Sequence, residues 1–435
     1  MSEKYPDNGR AEHVSSLQTF KPKEDPYEFV SHAYYGNGGF LNGDYLWKHP
    51  KERKFDERKA HAFYKNYVRP IIDSVITPVF AKPALRETNN IFFEEFLKDV
   101  DVKGTPIQDF TKEIVKNVKL HGSCFAIMDN MGISEGSSDE VITGRAYPYL
   151  IIRTADQVES YTLDEWGNLE SILFDYGTVK IKDKVKELYL FLSDEYAQLM
   201  IEEDDKMTPY GEEMLHGLGT IPVIRLAINN SAFLPFPPVY DMAVLNRTIY
   251  DRDSEQRNLE RKCAFPVLTM QAKDYQGEVT LAEDSIIVYG GDYEGSVTAP
   301  AWISPSVDIL KTLDEMSSNL TEKMIELANV NGATAISTSS KAASGASLAW
   351  QFIGQNYALK ENSSLAEKFE KDVSILFGKF MNSVIEYLVK YSDNFAPSVS
   401  EILQKVDMIS QAQALGISFD AEELDKIKSL IVSSI

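Results

Sequence analysis

Tyr240-Asp-Met-Ala-Val-Leu-Asn-Arg-Thr-Ile-Tyr-Asp-Arg-Asp-Ser-Glu-Gln-Arg-Asn-Leu-Glu-Arg-Lys262 is the stretch whose reading decides the fold. Its first half sets Met242, Val244, Leu245 and Ile249 at helical spacing, and from Asp251 onward it turns almost wholly polar. A helix that is polar all round finds no stability in the core of its own domain. Asp253 and Arg257 stand at i and i+4, a pair worth only about 0.3 kcal/mol. This helix therefore needs a neighbour.

Downstream, Phe265 to Ile303 changes to strand character, with Val267-Leu-Thr-Met270 and Ser285-Ile-Ile-Val-Tyr289 as apolar or β-branched runs. Gly277, Gly290, Gly291, Gly295 and Pro300 punctuate this insert as turns. Ser304-Pro305 is a favourable start for a second helix, to about Val330. Ile309, Leu313, Met316, Leu320, Met324 and Leu327 form one stripe on that otherwise polar rod. About 25 residues at 1.5 Å each give a rod of roughly 37 Å. A small-sided loop, Asn331 to Ala346, follows. From Ser347 a long helix is expected to run to 392, through Leu348, Phe352, Ile353, Leu365, Phe369, Val373, Leu376, Phe380, Val384 and Leu388, with Gly354 and Asn362-Ser-Ser364 as places for a bend. Ser398-Val-Ser-Glu401 and Asp420-Ala-Glu-Glu423 open two short helices near the end of the chain.

Upstream, residues 1 to 27 are polar, with Pro6, Pro22 and Pro26, and read as an extended or disordered arm. Arg58 to Asn66 reads as helical, Pro70 as a boundary, and Asp109 to His121 as an amphipathic helix stopped by Gly122. The period then changes. Segments 123–128, 146–152, 169–174, 186–191, 198–201 and 223–227 read as strands, and strands following helices predict an α+β domain with a mostly antiparallel sheet. Asn229 to Pro238 is a proline-rich linker into the first rod.

The chain of 435 residues has ordinary globular composition, with 43% hydrophobic and 11% aromatic residues, and its length suits two to four domains. The sequence has no apolar run long enough to span a membrane and no secretory leader pattern, which predicts a soluble chain made in a cytoplasm. Cys124 and Cys263 are too few for a disulfide framework and lack metal-ligand spacing. A net charge of −22 opposes a protein whose surface grips nucleic acid, since phosphate contacts need clustered Lys and Arg. DNA passing a repulsive wall is a different matter.

Catalytic patterns are weak. No Walker loop, HExxH, CxxC, GxSxG or GxGxxG is present. His121-Gly-Ser-Cys124 brings an imidazole near a thiol, but a nucleophile needs its base across a site rather than beside it in sequence. Thr338-Ser-Ser-Lys341 puts hydroxyls beside an amine, with Thr where a Ser-x-x-Lys nucleophile would stand. A cytosolic hydrolase using either group is the alternative from another class. Asp251 and Asp253 point apart on a helix, and the six histidines form no ligand pair, so neither metal nor cofactor is expected.

The order of elements resembles the portal proteins of tailed bacteriophages. It is carried by the half-polar helix Tyr240 to Lys262, the β insert, the second rod, the hydroxyl-rich loop with Ser344-Gly-Ala346, and the helix from Ser347. Tyr64-x-Asn66, Phe80-Ala-Lys-Pro83, Asp101-x-x-Gly104 and Gly122 extend it toward the start of the chain. The resemblance implies a portal-like α+β fold with an arm (1–27), a wing (28–239), a first stem helix (240–263), a β clip (264–303), a second stem helix (304–330), a tunnel loop (331–346), a long spine helix (347–392) and a short helical crown (393–435). It further implies a non-enzymatic ring, usually of twelve copies, at one capsid vertex of the virion, assembled in the host cytoplasm. Double-stranded DNA would pass through it without sequence specificity.

The implied partners are the terminase large subunit, head-tail connector or adaptor proteins, and the major capsid or scaffold protein. Another head scaffold or connector subunit is a blander version of the same reading. Implied site residues are Asn331, Gly332, Thr338, Ser339, Ser340, Lys341, Ser344 and Gly345 at the channel, with Lys341 facing the duplex. Asp274, Tyr275, Glu278, Glu283, Asp284, Asp292 and Glu294 would dock motor and connector. Asp251, Asp253, Arg257, Glu260, Leu313 and Leu320 would lie between subunits.

Overall fold

The computed structural model describes residues 25–130, 147–181, 184–203, 206–229, 231–264, 267–271, 286–289, 300–303, 307–330 and 345–392. The chain divides into two units: residues 1–31, 69–240 and 328–435 form one, residues 32–68 and 241–327 the other. The fold is mixed α and β, with several separate sheets.

In the first unit the helix Ile107–His121 buries Ile107, Phe110, Ile114, Val118 and Leu120, the face its spacing predicts. Gly122 stops it at φ +84°, and a Cβ there would lie 3.1 Å from Pro235 Cβ. Only glycine takes that backbone turn without strain. The chain passes directly into the strand Ser123–Asp129, which lies between Val223–Ala227 and Tyr149–Thr154 in an antiparallel sheet. A second antiparallel sheet runs Val158–Leu163, Leu169–Ile181, Lys184–Ser193, Tyr196–Glu203 and Lys206–Pro209, with Met214–Leu215 paired onto Tyr196–Glu203. Phe125, Ile127, Val158, Tyr161, Ile172, Phe174, Leu190 and Leu192 share one core. The antiparallel expectation holds. The strands Val158–Leu163 and Lys206–Pro209 extend it beyond the runs read from sequence.

Tyr27 belongs to that core rather than to an arm. It is 1% exposed, in the helix Pro26–Tyr35, and its hydroxyl donates to the carbonyls of Leu234 (3.3 Å) and Pro235 (2.9 Å). An aromatic ring that fills a cavity and satisfies two backbone acceptors is held firmly.

The long helix spans Gly345–Phe380 and stops there, correcting its expected run to 392. Gly378 explains the stop: Ser383 O lies 2.6 Å from where its Cβ would be, so the chain folds back over a bare backbone position. Ser383 N donates to Gly378 O at 2.9 Å, and Asn382 adopts φ +49°. Residues Tyr387–Lys390 then form a strand antiparallel to Leu85–Thr88. Val384 and Leu388, which continue the helical spacing, are 88% and 49% exposed. Asn362-Ser-Ser364 makes no break. Asn362 donates to Val75 O at 2.8 Å, and Ser363 to Leu359 O at 3.0 Å and Ser392 O at 3.1 Å, so these polar side chains anchor an unbroken helix.

The second unit holds most of the rods Tyr240–Ala264 and Val307–Val330. The insert pairs Val267–Gln271 parallel to Ile286–Tyr289 and antiparallel to Ala301–Ile303. The expected helix Arg58 to Asn66 is displaced: the helix is Phe55–His61, Ala62 is extended, and residues 62–67 form no regular element. The cause is Asn246. Its Oδ1 accepts from Tyr67 N (2.9 Å) and Tyr64 Oη (3.1 Å), and its Nδ2 donates to Lys65 O (2.8 Å), so this stretch bonds to the first rod instead of to itself. The crown segment 393–435 and Ser304-Pro305 lie outside the described residues.

Candidate functional site

The polar half of the first rod is supplied with partners by residues 47–65. Arg58, with its side chain 2% exposed, donates from Nε to Glu52 at 2.8 Å, and from Nη1 to Asp251 Oδ1 at 3.1 Å and Ser254 Oγ at 2.8 Å. Its Nη2 donates to the Trp47 carbonyl, and the Trp47 amide donates to Asp251 at 3.0 Å. Burial opposes the Arg58 charge, and the carboxylates of Glu52 and Asp251 outweigh it, holding the guanidinium above its ordinary range. A buried cation tolerates such a site only when paired and hydrogen-bonded.

Asp253 joins the two rods. Its Oδ2 lies 2.8 Å from Lys65 Nζ, and its Oδ1 accepts from Ser317 Oγ of the second rod at 2.8 Å. The hydrogen bond that Lys65 donates to Asp253 raises the pKa of its ammonium, against partial burial. Arg257 donates to His61 O at 3.3 Å and stands 5.4 Å from the Phe63 ring centroid, while Glu260 accepts from Gln256 at 2.9 Å. Asp251, Asp253 and Arg257 thus each have a partner inside their own unit.

The second rod is different. Of its predicted stripe only Met324 is buried; Leu313 and Leu320 are half-buried, and Ile309, Met316 and Leu327 are 51%, 44% and 38% exposed. The insert adds Trp302 at 68% and Ile303 at 57%. Single exposed apolar residues are ordinary; Ile309, Met316 and Leu327 recur on one face of the rod.

The other predicted positions divide simply. Asp274, Tyr275, Glu278, Glu283, Asp284, Asp292 and Glu294 lie outside the described residues, as do Asn331, Gly332, Thr338, Ser339, Ser340, Lys341 and Ser344; Gly345 opens the long helix. Arg58, Tyr64 and Asn246 are the residues that sequence reasoning missed. Asn246, a lone amide among Met242, Leu245 and Ile249, was the available signal.

The nucleophile alternative fares poorly at Cys124. The thiol is fully buried, donates to Arg153 O at 3.5 Å, and is pushed well above its ordinary range by burial. His121 Nε2 is turned to Ser31 Oγ at 2.8 Å. A buried, protonated thiol is an inert one. Among the described residues no group of three or more His, Cys, Asp or Glu side chains is placed to hold a metal, and no helix is long and apolar enough to cross a membrane.

The sequence matches no protein-family model and no curated protein. Among solved structures, the chain is similar to one from the virion of a native gene transfer agent particle, at 9% identity and a TM-score of 0.44, over 96% of this chain and 99% of that one. It is also similar to one from the neck of an empty gene transfer agent particle, at 10% identity and a TM-score of 0.45, over 97% and 98%.

Proposed function

We propose that the chain is a portal-type subunit: a non-enzymatic ring, of about twelve copies, at one vertex of a phage-like capsid, through which double-stranded DNA passes. The order of half-polar rod, β insert, second rod, small-residue loop and long helix motivates this reading. The single observation that carries it is the second rod, which leaves Ile309, Met316 and Leu327 exposed along its stripe. A second copy of this chain is the occupant that fits, because a repeated stripe answered by a different face of the next copy generates a ring when the rotation closes. In this reading the insert docks the terminase large subunit and later connector or adaptor proteins, the wing meets capsid or scaffold protein, and Lys341 makes a sequence-blind phosphate contact in the channel.

Mass photometry and negative-stain imaging of the purified chain test the reading. A closed annulus is expected, and a stable monomer at micromolar concentration overturns it. Ile309→Glu with Met316→Glu is expected to abolish the annulus while changing subunit stability by less than about 1 kcal/mol, because both side chains are exposed. Intact rings from that variant would remove the stripe from the interface.

A further inference from the structure

The charge of −22 is an average, and one exposed turn departs from it. Trp47-Lys-His-Pro-Lys-Glu-Arg-Lys54 carries Lys48, Lys51, Arg53 and Lys54 against the single carboxylate Glu52. All four cations are exposed, whereas Glu52 is half-buried with both oxygens on Arg58, at 2.8 and 3.1 Å. Within the turn the one carboxylate thus faces inward and the four cations face out, with the exposed Asp56 and Glu57 just beyond them. Lys51 and Arg53 have no side-chain partner among the described residues. Lys54 pairs with Glu57 at 3.2 Å, with both side chains more than half exposed, an arrangement worth little and readily exchanged. Lys48 stands 5.6 Å from the Phe55 ring centroid.

The turn is also built to keep its shape. Glu52 N donates to His49 O at 2.9 Å, Lys51 N to His49 Nδ1 at 3.1 Å, and Arg58 clamps the Trp47 carbonyl from below. Trp47 is 56% exposed and meets the His49 ring edge-on at 5.5 Å. Cations on a preorganised turn lose less freedom on binding an anion than cations on a loose one.

We propose that this turn is a phosphate-contacting surface for nucleic acid. Protein interfaces are depleted in lysine, and three of these four cations are lysines. Lys51 and Arg53, presented outward without a carboxylate partner among the described residues, are what backbone phosphates require. The choice of duplex DNA as the polyanion rests on the channel reading; the cationic surface itself does not.

The test is fluorescence anisotropy of a labelled duplex of about 20 base pairs with the full chain, in 50 to 200 mM salt, on preparations whose ring mass is recorded. Four phosphate contacts predict a slope near −3.6 in log K against log salt, a loss of about 100-fold across that range. Lys48→Ala, Lys51→Ala, Arg53→Ala and Lys54→Ala together are expected to weaken binding at 50 mM salt by more than about tenfold and to flatten the slope. Lys180→Ala, Lys184→Ala and Lys186→Ala together, elsewhere on the surface, are expected to leave binding within about twofold of the parent. An equal loss in that control, no loss in the turn variant, or no binding by the parent overturns the proposal. Displacement of DNA by a poly-glutamate peptide at equal or lower concentration assigns the turn to an acidic protein and also overturns it. Rings that fail to bind DNA sink this inference alone, whereas a monomer that binds DNA through the turn sinks the ring alone.

Discussion

His121 shows what burial does to one group. It is 1% exposed, its Nε2 meets Ser31, and its ring stands edge-on to Tyr27 at 6.3 Å between centroids. Burial lowers its pKa below the ordinary 6.5, only partly opposed by the charge of Asp156. The unfolded chain therefore binds this proton more readily than the folded one. The stability tied to the neutral ring is complete above 6.5 and is lost as the pH falls below it. Urea midpoints of the parent are expected to fall from pH 7 to pH 5 more than those of His121→Asn, which cannot titrate there. Parallel pH profiles for the two would show that the ring does not resist protonation in the fold.

Among the elements, the long helix carries one buried carboxylate that gathers several partners. Glu370 is 0% exposed; its Oε2 accepts from Arg86 Nε at 2.9 Å and its Oε1 from Arg86 Nη2 at 2.8 Å, with the hydroxyls of Tyr387, Tyr391 and Thr111 also donating to it. Removing one partner leaves the other charge stranded, at a cost of about 3–5 kcal/mol. Glu370→Ala is expected to lower the urea midpoint accordingly, and a loss under about 1 kcal/mol would mean the cluster relaxes freely. This cluster was not legible from sequence. Phe380, Val384 and Leu388 keep helical spacing past the true end, so periodicity alone cannot see that Ser383 turns back over Gly378. The strand partner, Leu85–Thr88, is far away in sequence and too short for alternation to register. Ile107–His121 was legible because its amphipathic face and its glycine stop are both local. The two rods were legible as rods, but the first one's neighbour, residues 47–65, was not, because only Asn246 hinted that an irregular segment of the same chain would satisfy it.

For the whole molecule, charge makes two salt effects run in opposite directions. Each copy brings −22, and screening shortens the range of repulsion to about 8 Å at physiological ionic strength. Ring formation is therefore expected to be favoured by added salt, read as the annular fraction in mass photometry from 20 to 300 mM, while DNA binding at the turn weakens. Assembly unchanged across that range would mean that copies meet through surfaces the net charge does not reach. The ribbon of Leu85–Thr88 with Tyr387–Lys390 has a further meaning in time. Arg86 and Glu370 are 284 positions apart, so during synthesis the arginine emerges from the ribosome long before its counter-charge exists. A polypeptide released before Glu370 is made can never close this clasp, and the first unit becomes whole only after that carboxylate has emerged.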